Sequence, residues 1–122
     1  MNHNIRTAWL RYVVLAALTL GMVFLGVKYK CEHTFTTSRW LNYPEERVKI
    51  VDDLFRKQAL VGLSKDKVID LLGPETENAY FKEPGNMVYY LGPERGLISV
   101  DSEWLVIELD DNVVVDYQIK HD

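Results

Sequence analysis

The chain has 122 residues, about the size of one domain. Its first 30 residues carry Arg6, Arg11, Lys28 and Lys30 and no acid, so the remainder sets 10 basic residues against 18 acids, a net −8. That acidity, with no basic run to offset it, excludes nucleic acid as a partner, because phosphate would meet like charge. A single cysteine, Cys31, excludes an internal disulfide and a multi-cysteine zinc site.

The uncharged run Tyr12 to Val27 is too short for a ~30 Å hydrocarbon core at ~1.5 Å per residue, but extending it to residues 9–29 closes the gap. Arg11 and Lys28 stand where basic side chains snorkel, and Trp9, Tyr12 and Tyr29 suit the interfacial belt. Three fates compete. A cleaved signal peptide shares the basic start but needs small residues at the cut, where this sequence has Leu25-Gly26-Val27-Lys28. Lipidation at Cys31 conflicts with Lys28-Tyr29-Lys30 ahead of it. A retained anchor over residues 1–30 fits best. Positive charge is nearly balanced across the segment; a short basic leader favours the N-terminus inside and the following domain outside the cytoplasm.

Residues 31–43 lack a period and read as a linker, with Phe35, Trp40 and Leu41 free to dock on the domain or the membrane surface. The domain itself is expected over 44–122. Pro44, Glu45 and Glu46 open a helix over 44–59, with Val48, Val51, Leu54 and Phe55 on one face. Ser64 caps a second helix whose buried stripe is Val68, Leu71 and Leu72 and which Gly73-Pro74 stops. The period then changes to two. Alternation about Met87–Leu91, Trp104–Leu109 and Val113–Ile119 predicts three strands, with Asp110-Asp111-Asn112 turning the last hairpin. Ala79–Lys82 is a candidate fourth strand, and Gly92-Pro93-Glu94-Arg95-Gly96 opens a longer connection. The fold class is therefore α+β: two helices packed on a three- or four-stranded antiparallel sheet, preceded by one transmembrane or signal helix.

The stretch Leu60-Val61-Gly62-Leu63-Ser64 through Leu71-Leu72-Gly73-Pro74 resembles the motif of the BamE/SmpA/OmlA lipoprotein domain family, in which a Gly and a Ser or Thr open a helix closing on Leu-Gly-x-Pro or a close variant. Tyr89-Tyr90-Leu91 and the Leu105–Asp116 hairpin fall where that family places its sheet, so the resemblance covers about residues 46–119. It implies an envelope-exposed scaffold with two helices on three strands and no catalysis. The β-lactamase inhibitor proteins are similar in fold, which makes protein binding the shared theme.

No residue set calls for chemistry. His3, His33 and His121 lie ahead of the apolar run, in the linker and at the tail, where solvation is the plain expectation. Asp101, Glu103, Glu108, Asp110, Asp111 and Asp116 lack the spacing of a calcium loop and read as a solvated acidic face. Gly92 and Gly96 have no phosphate-loop spacing, and Cys31 reads as an inert thiol. No cofactor, metal or small-molecule substrate is implied. What stands out is the sheet face opposite the helices, on which alternation sets Val88, Tyr90, Trp104, Val106 and Val114. An apolar outer face is a partner site, a surface covered by the linker through Phe35 and Trp40, or a set of ordinary β-forming residues. The expectation is a membrane-anchored, non-enzymatic protein-binding or scaffold domain of the bacterial envelope, using residues 9–29 for the membrane and that face for an envelope protein. The alternatives are a secreted or periplasmic inhibitor of an enzyme, and a hydrolase built on the acids.

Overall fold

The computed structural model describes residues 2–122, with side chains from Asn4 onward. His3 therefore lies outside the described side chains. Two units emerge, dividing between His33 and Thr34.

The first unit is one helix, α1, Asn2–Glu32. Its side chains from Asn4 to Cys31 are all exposed, and over Asn4–Glu32 it is long and apolar enough to cross a membrane or to act as a signal sequence. Thr19 interrupts the apolar run without leaving a polar group open, since its hydroxyl donates to the Leu15 carbonyl at 2.9 Å.

The second unit is an α+β domain of short helices on a three-stranded antiparallel sheet. It begins earlier than the sequence suggests. Thr36 caps a six-residue helix, α2, Thr37–Asn42, accepting from the Arg39 amide. Phe35 and Trp40 are buried in the main core. The expected linker 31–43 is thus divided between the end of α1 and a packed part of the domain.

The helix expected over 44–59 is two pieces. A 3-10 helix, Pro44–Lys49, ends at Ile50, whose φ of −118° and ψ of −7° leave helical geometry, and α3 continues as Val51–Lys57. This break lets Arg47, Val48, Ile50, Val51 and Leu54 all turn inward. The 3-10 helix lies against β1, and the contact is close at Gly92: with φ at +133°, a Cβ there would collide with the Glu45 carbonyl oxygen. The next helix, α4, Lys65–Leu72, has the Ser64 cap and the Gly73 stop read from the sequence, with Gly73 at φ +74° donating to the Ile69 carbonyl at 2.7 Å.

The sheet runs in the order β1 (Asn86–Pro93), β2 (Ser102–Asp110), β3 (Val113–His121). Ala79–Lys82 lies among turns and adds no strand. The β2–β3 turn places Asp111 and Asn112 at φ 50° and 60°, the left-handed pair that a tight hairpin requires. Met87, Tyr89, Leu91, Leu105 and Ile107 face the helices and close the core with Trp40, Leu54, Leu60, Val68 and Leu72. Registers shift at Tyr90/Gly92 and at Glu108/Leu109.

Candidate functional site

The five residues expected on the outer sheet face do not form an exposed apolar patch. Val88 is 0% exposed, and Val106 and Val114 are 1% exposed. Two causes act. The irregularity at Glu108/Leu109 pairs Leu109 with Val114 where simple alternation would not, and this turns Val114 into the helix-side core. Val113 and Val115 are exposed instead.

The second cause is the segment 74–85. Thr76 binds the edge of β1 twice, its N–H donating to the Val88 carbonyl and its hydroxyl accepting from the Tyr90 amide, each at 2.9 Å. Further along, the Phe81 ring lies 5.3 Å from the Lys120 ammonium, and Lys120 is the β3 partner of Trp104 on the outer face. The segment therefore reaches from β1 to β3 across that face, over Val88 and Val106. Asn86 holds it in shape, donating to the Phe81 carbonyl at 2.9 Å and accepting from the Glu83 amide at 3.0 Å; Lys82 pairs with Glu75 at 2.8 Å. The cover expected from Phe35 and Trp40 is absent, because both pack on the opposite side of the sheet. Only Tyr90 and Trp104 remain half-exposed, in edge-to-face contact at 5.2 Å, and Trp104 Nε1 donates to Asp122 at 2.9 Å.

The expected acidic face also changes at one position. Asp101, Asp110, Asp111 and Asp116 are exposed and Glu108 is partly so, but Glu103 is 2% exposed. Arg95 meets it with Nε and Nη2, the latter at 2.9 Å, and the Arg95 amide adds a third bond at 3.0 Å. Burial pushes the Glu103 carboxyl up, but the Arg95 bonds outweigh it and hold the group below its ordinary value. Arg95 reaches on to Asp52 at 2.9 Å, and His121 Nε2 lies 3.3 Å from Glu103. His121 is thus bound into this network, and His33 stacks on Tyr29 with its Nδ1 2.8 Å from the Tyr29 carbonyl.

The buried Arg47 and Tyr89 and the partly buried Asp53 likewise tie elements together. Arg47 donates to the Trp40 carbonyl at 2.8 Å and the Tyr90 carbonyl at 3.1 Å, with its guanidinium 4.7 Å from the Trp40 ring centre; burial lowers its pKa. Tyr89 donates to the Gly73 carbonyl at 2.8 Å, and burial raises its pKa. Asp53 accepts from the Phe35 amide at 2.7 Å and pairs with Lys57 and Arg56; the amide bond leads in holding its pKa down. Among the described residues, no three His, Cys, Asp or Glu converge as a metal site.

The feature that sequence reading passed over is the apolar tip of the β1–β2 connection, residues 94–101. Leu97, Ile98 and Val100 are 105%, 79% and 82% exposed. Their stem is nonetheless ordered: the Glu94 amide donates to the Asp101 carbonyl at 2.9 Å, and the Ser99 hydroxyl donates to the Glu94 carbonyl. The available signal was Leu97-Ile98-Ser99-Val100, an apolar cluster outside any period. Comparison with known protein families, curated proteins and solved structures finds no match for this chain.

Proposed function

We propose that this chain is a membrane-anchored, non-enzymatic protein-binding or scaffold domain of the bacterial cell envelope, single-pass, with its C-terminal domain on the extracytoplasmic side. The observation that carries the reading is α1. Every side chain from Asn4 to Cys31 faces outward, and most of them are apolar. A helix apolar all round is stable only when a bilayer or other apolar surroundings enclose it. The lack of a small-x-small cut site where the apolar run ends in Leu25-Gly26-Val27, and Lys28-Tyr29-Lys30 before Cys31, favour retention over cleavage or lipidation.

Two further points support a binding role. The buried ionisable groups Arg47, Glu103 and Tyr89 are engaged in bonds between secondary-structure elements. The resemblance to the BamE/SmpA/OmlA domain points the same way, toward scaffolding. Fractionation followed by alkaline extraction tests the anchor. The chain is expected to stay in the pelleted membrane at its full length. A soluble chain beginning near residues 28–32 would contradict the anchor and favour the secreted inhibitor.

A further inference from the structure

Resting on the reading of the domain as a binding module, we infer that the loop Glu94–Asp101 is its docking element, and that it takes a protein partner presenting an apolar cleft rimmed by Lys and Arg. Three large aliphatic side chains within four positions stand in water on this loop, Leu97 with no shielding at all. Scattered exposed leucines are ordinary on a protein surface, but a contiguous apolar tip on an ordered stem is not.

The stem is built to present it. Glu103, buried on the helix side of β2, fixes Arg95 through its side chain and its amide, and Arg95 is pinned in turn to Asp52 of α3. The Glu94–Asp101 backbone bond and the Ser99 hydroxyl close the loop above that anchor. A loop already held in shape loses little freedom on docking, which favours affinity.

Charge selects the kind of partner. The apolar tip is flanked by Glu94, directly after β1, and by Asp101, directly before β2, and residues 96–102 contain no basic side chain. The one nearby guanidinium, Arg95, is already neutralised by Glu103 and Asp52. Carboxylates on both sides of an apolar tip oppose an anionic bilayer surface, which attracts basic residues. They complement a cleft with basic edges, where the aliphatic side chains supply affinity and the rim supplies rate and specificity. A second copy of this acidic domain would bring like charge to the same loop.

The test uses the full-length chain in cells, with a photocrosslinking benzoylphenylalanine at Ile98 and, as a control, at the exposed Val61. The expected result is one discrete protein adduct from position 98 that is missing from position 61. The crosslinked peptide should map to apolar residues neighboured by Lys or Arg. Leu97→Ser with Val100→Ser should lower the yield by roughly tenfold, and Glu94→Lys with Asp101→Lys by a similar factor. Reversing the partner's rim charges should restore the second loss. If a variant proves unfolded by near-ultraviolet circular dichroism, the unaltered loop is read instead, and its adduct should weaken as salt is raised in isolated membranes. Adducts to lipid or to a second copy, no adduct from position 98, or a yield indifferent to charge reversal and salt would overturn the inference. Failure of the underlying reading looks different: the chain would then be soluble, or no position on the domain would crosslink to protein.

Discussion

Trp40 separates a packed domain element from a membrane linker. Its side chain is fully buried, lies edge-to-face with Phe35 and with Tyr89 at 6.0 Å each, and carries the Arg47 guanidinium over its ring. Truncating a buried aromatic of this size costs about 3–5 kcal/mol, and losing the cation contact adds about 1 kcal/mol. Trp40→Ala should therefore lower stability by about 5 kcal/mol, a large share of the ~5–15 kcal/mol typical of a domain. Trp40→Phe should cost much less, about 1 kcal/mol, because the buried Trp40 Nε1 makes no hydrogen bond that would be lost. The assay is urea unfolding of the full-length chain in detergent, followed by near-ultraviolet circular dichroism. Were Trp40 a linker residue, Trp40→Ala would change stability by less than ~0.5 kcal/mol, as at an ordinary surface site. That result, or equal losses for Ala and Phe, would refute the packing described.

Glu103 gives a pH signature. Its folded pKa lies below the ordinary 4.5, so its stabilisation is present above that value and is lost as pH falls through the depressed one. The urea midpoint of the native chain should fall as the pH is taken below 4.5, and Glu103→Gln should be weaker at pH 7 but flatter with acid. Val106→Asp should destabilise by about 3 kcal/mol in the same unfolding assay, because the segment 74–85 covers that face; on an open face the change would be near zero. Gly92→Ala should cost at least ~2 kcal/mol, since its Cβ would collide with the Glu45 carbonyl, whereas Gly96→Ala, also at positive φ but in open space, should cost about 1 kcal/mol. Thermal melts of the two alanine variants compare them directly.

Much of the frame was legible in the residues. Ser64 and Gly73-Pro74 bound α4, Asp110-Asp111-Asn112 turns β2 into β3, and period-two alternation locates all three strands, because caps, turns and pleats are local. What escaped depends on contacts distant in sequence. The six residues of α2 are too few to show a period, although Thr36 is a capping residue. The irregularity after Glu108 reverses the face of Val114, and alternation has no means of marking it. Glu103 could have been found, since it shares the inward parity of Leu105 and Ile107. A carboxylate there becomes intelligible only with Arg95 across the hairpin. The exposed Leu97, Ile98 and Val100 required knowing that nothing folds over them.

The anchored, outward-facing arrangement is tested most directly at Cys31, the single cysteine, which is exposed at the end of α1. Intact cells with a permeabilised outer envelope are treated with a membrane-impermeant maleimide, and the chain is then extracted from the membrane and weighed by mass spectrometry. The predicted spectrum shows a full-length chain, with residues 1–30 retained, carrying one label. A full-length chain labelled only after lysis, or a shortened chain that has lost α1, would contradict the arrangement.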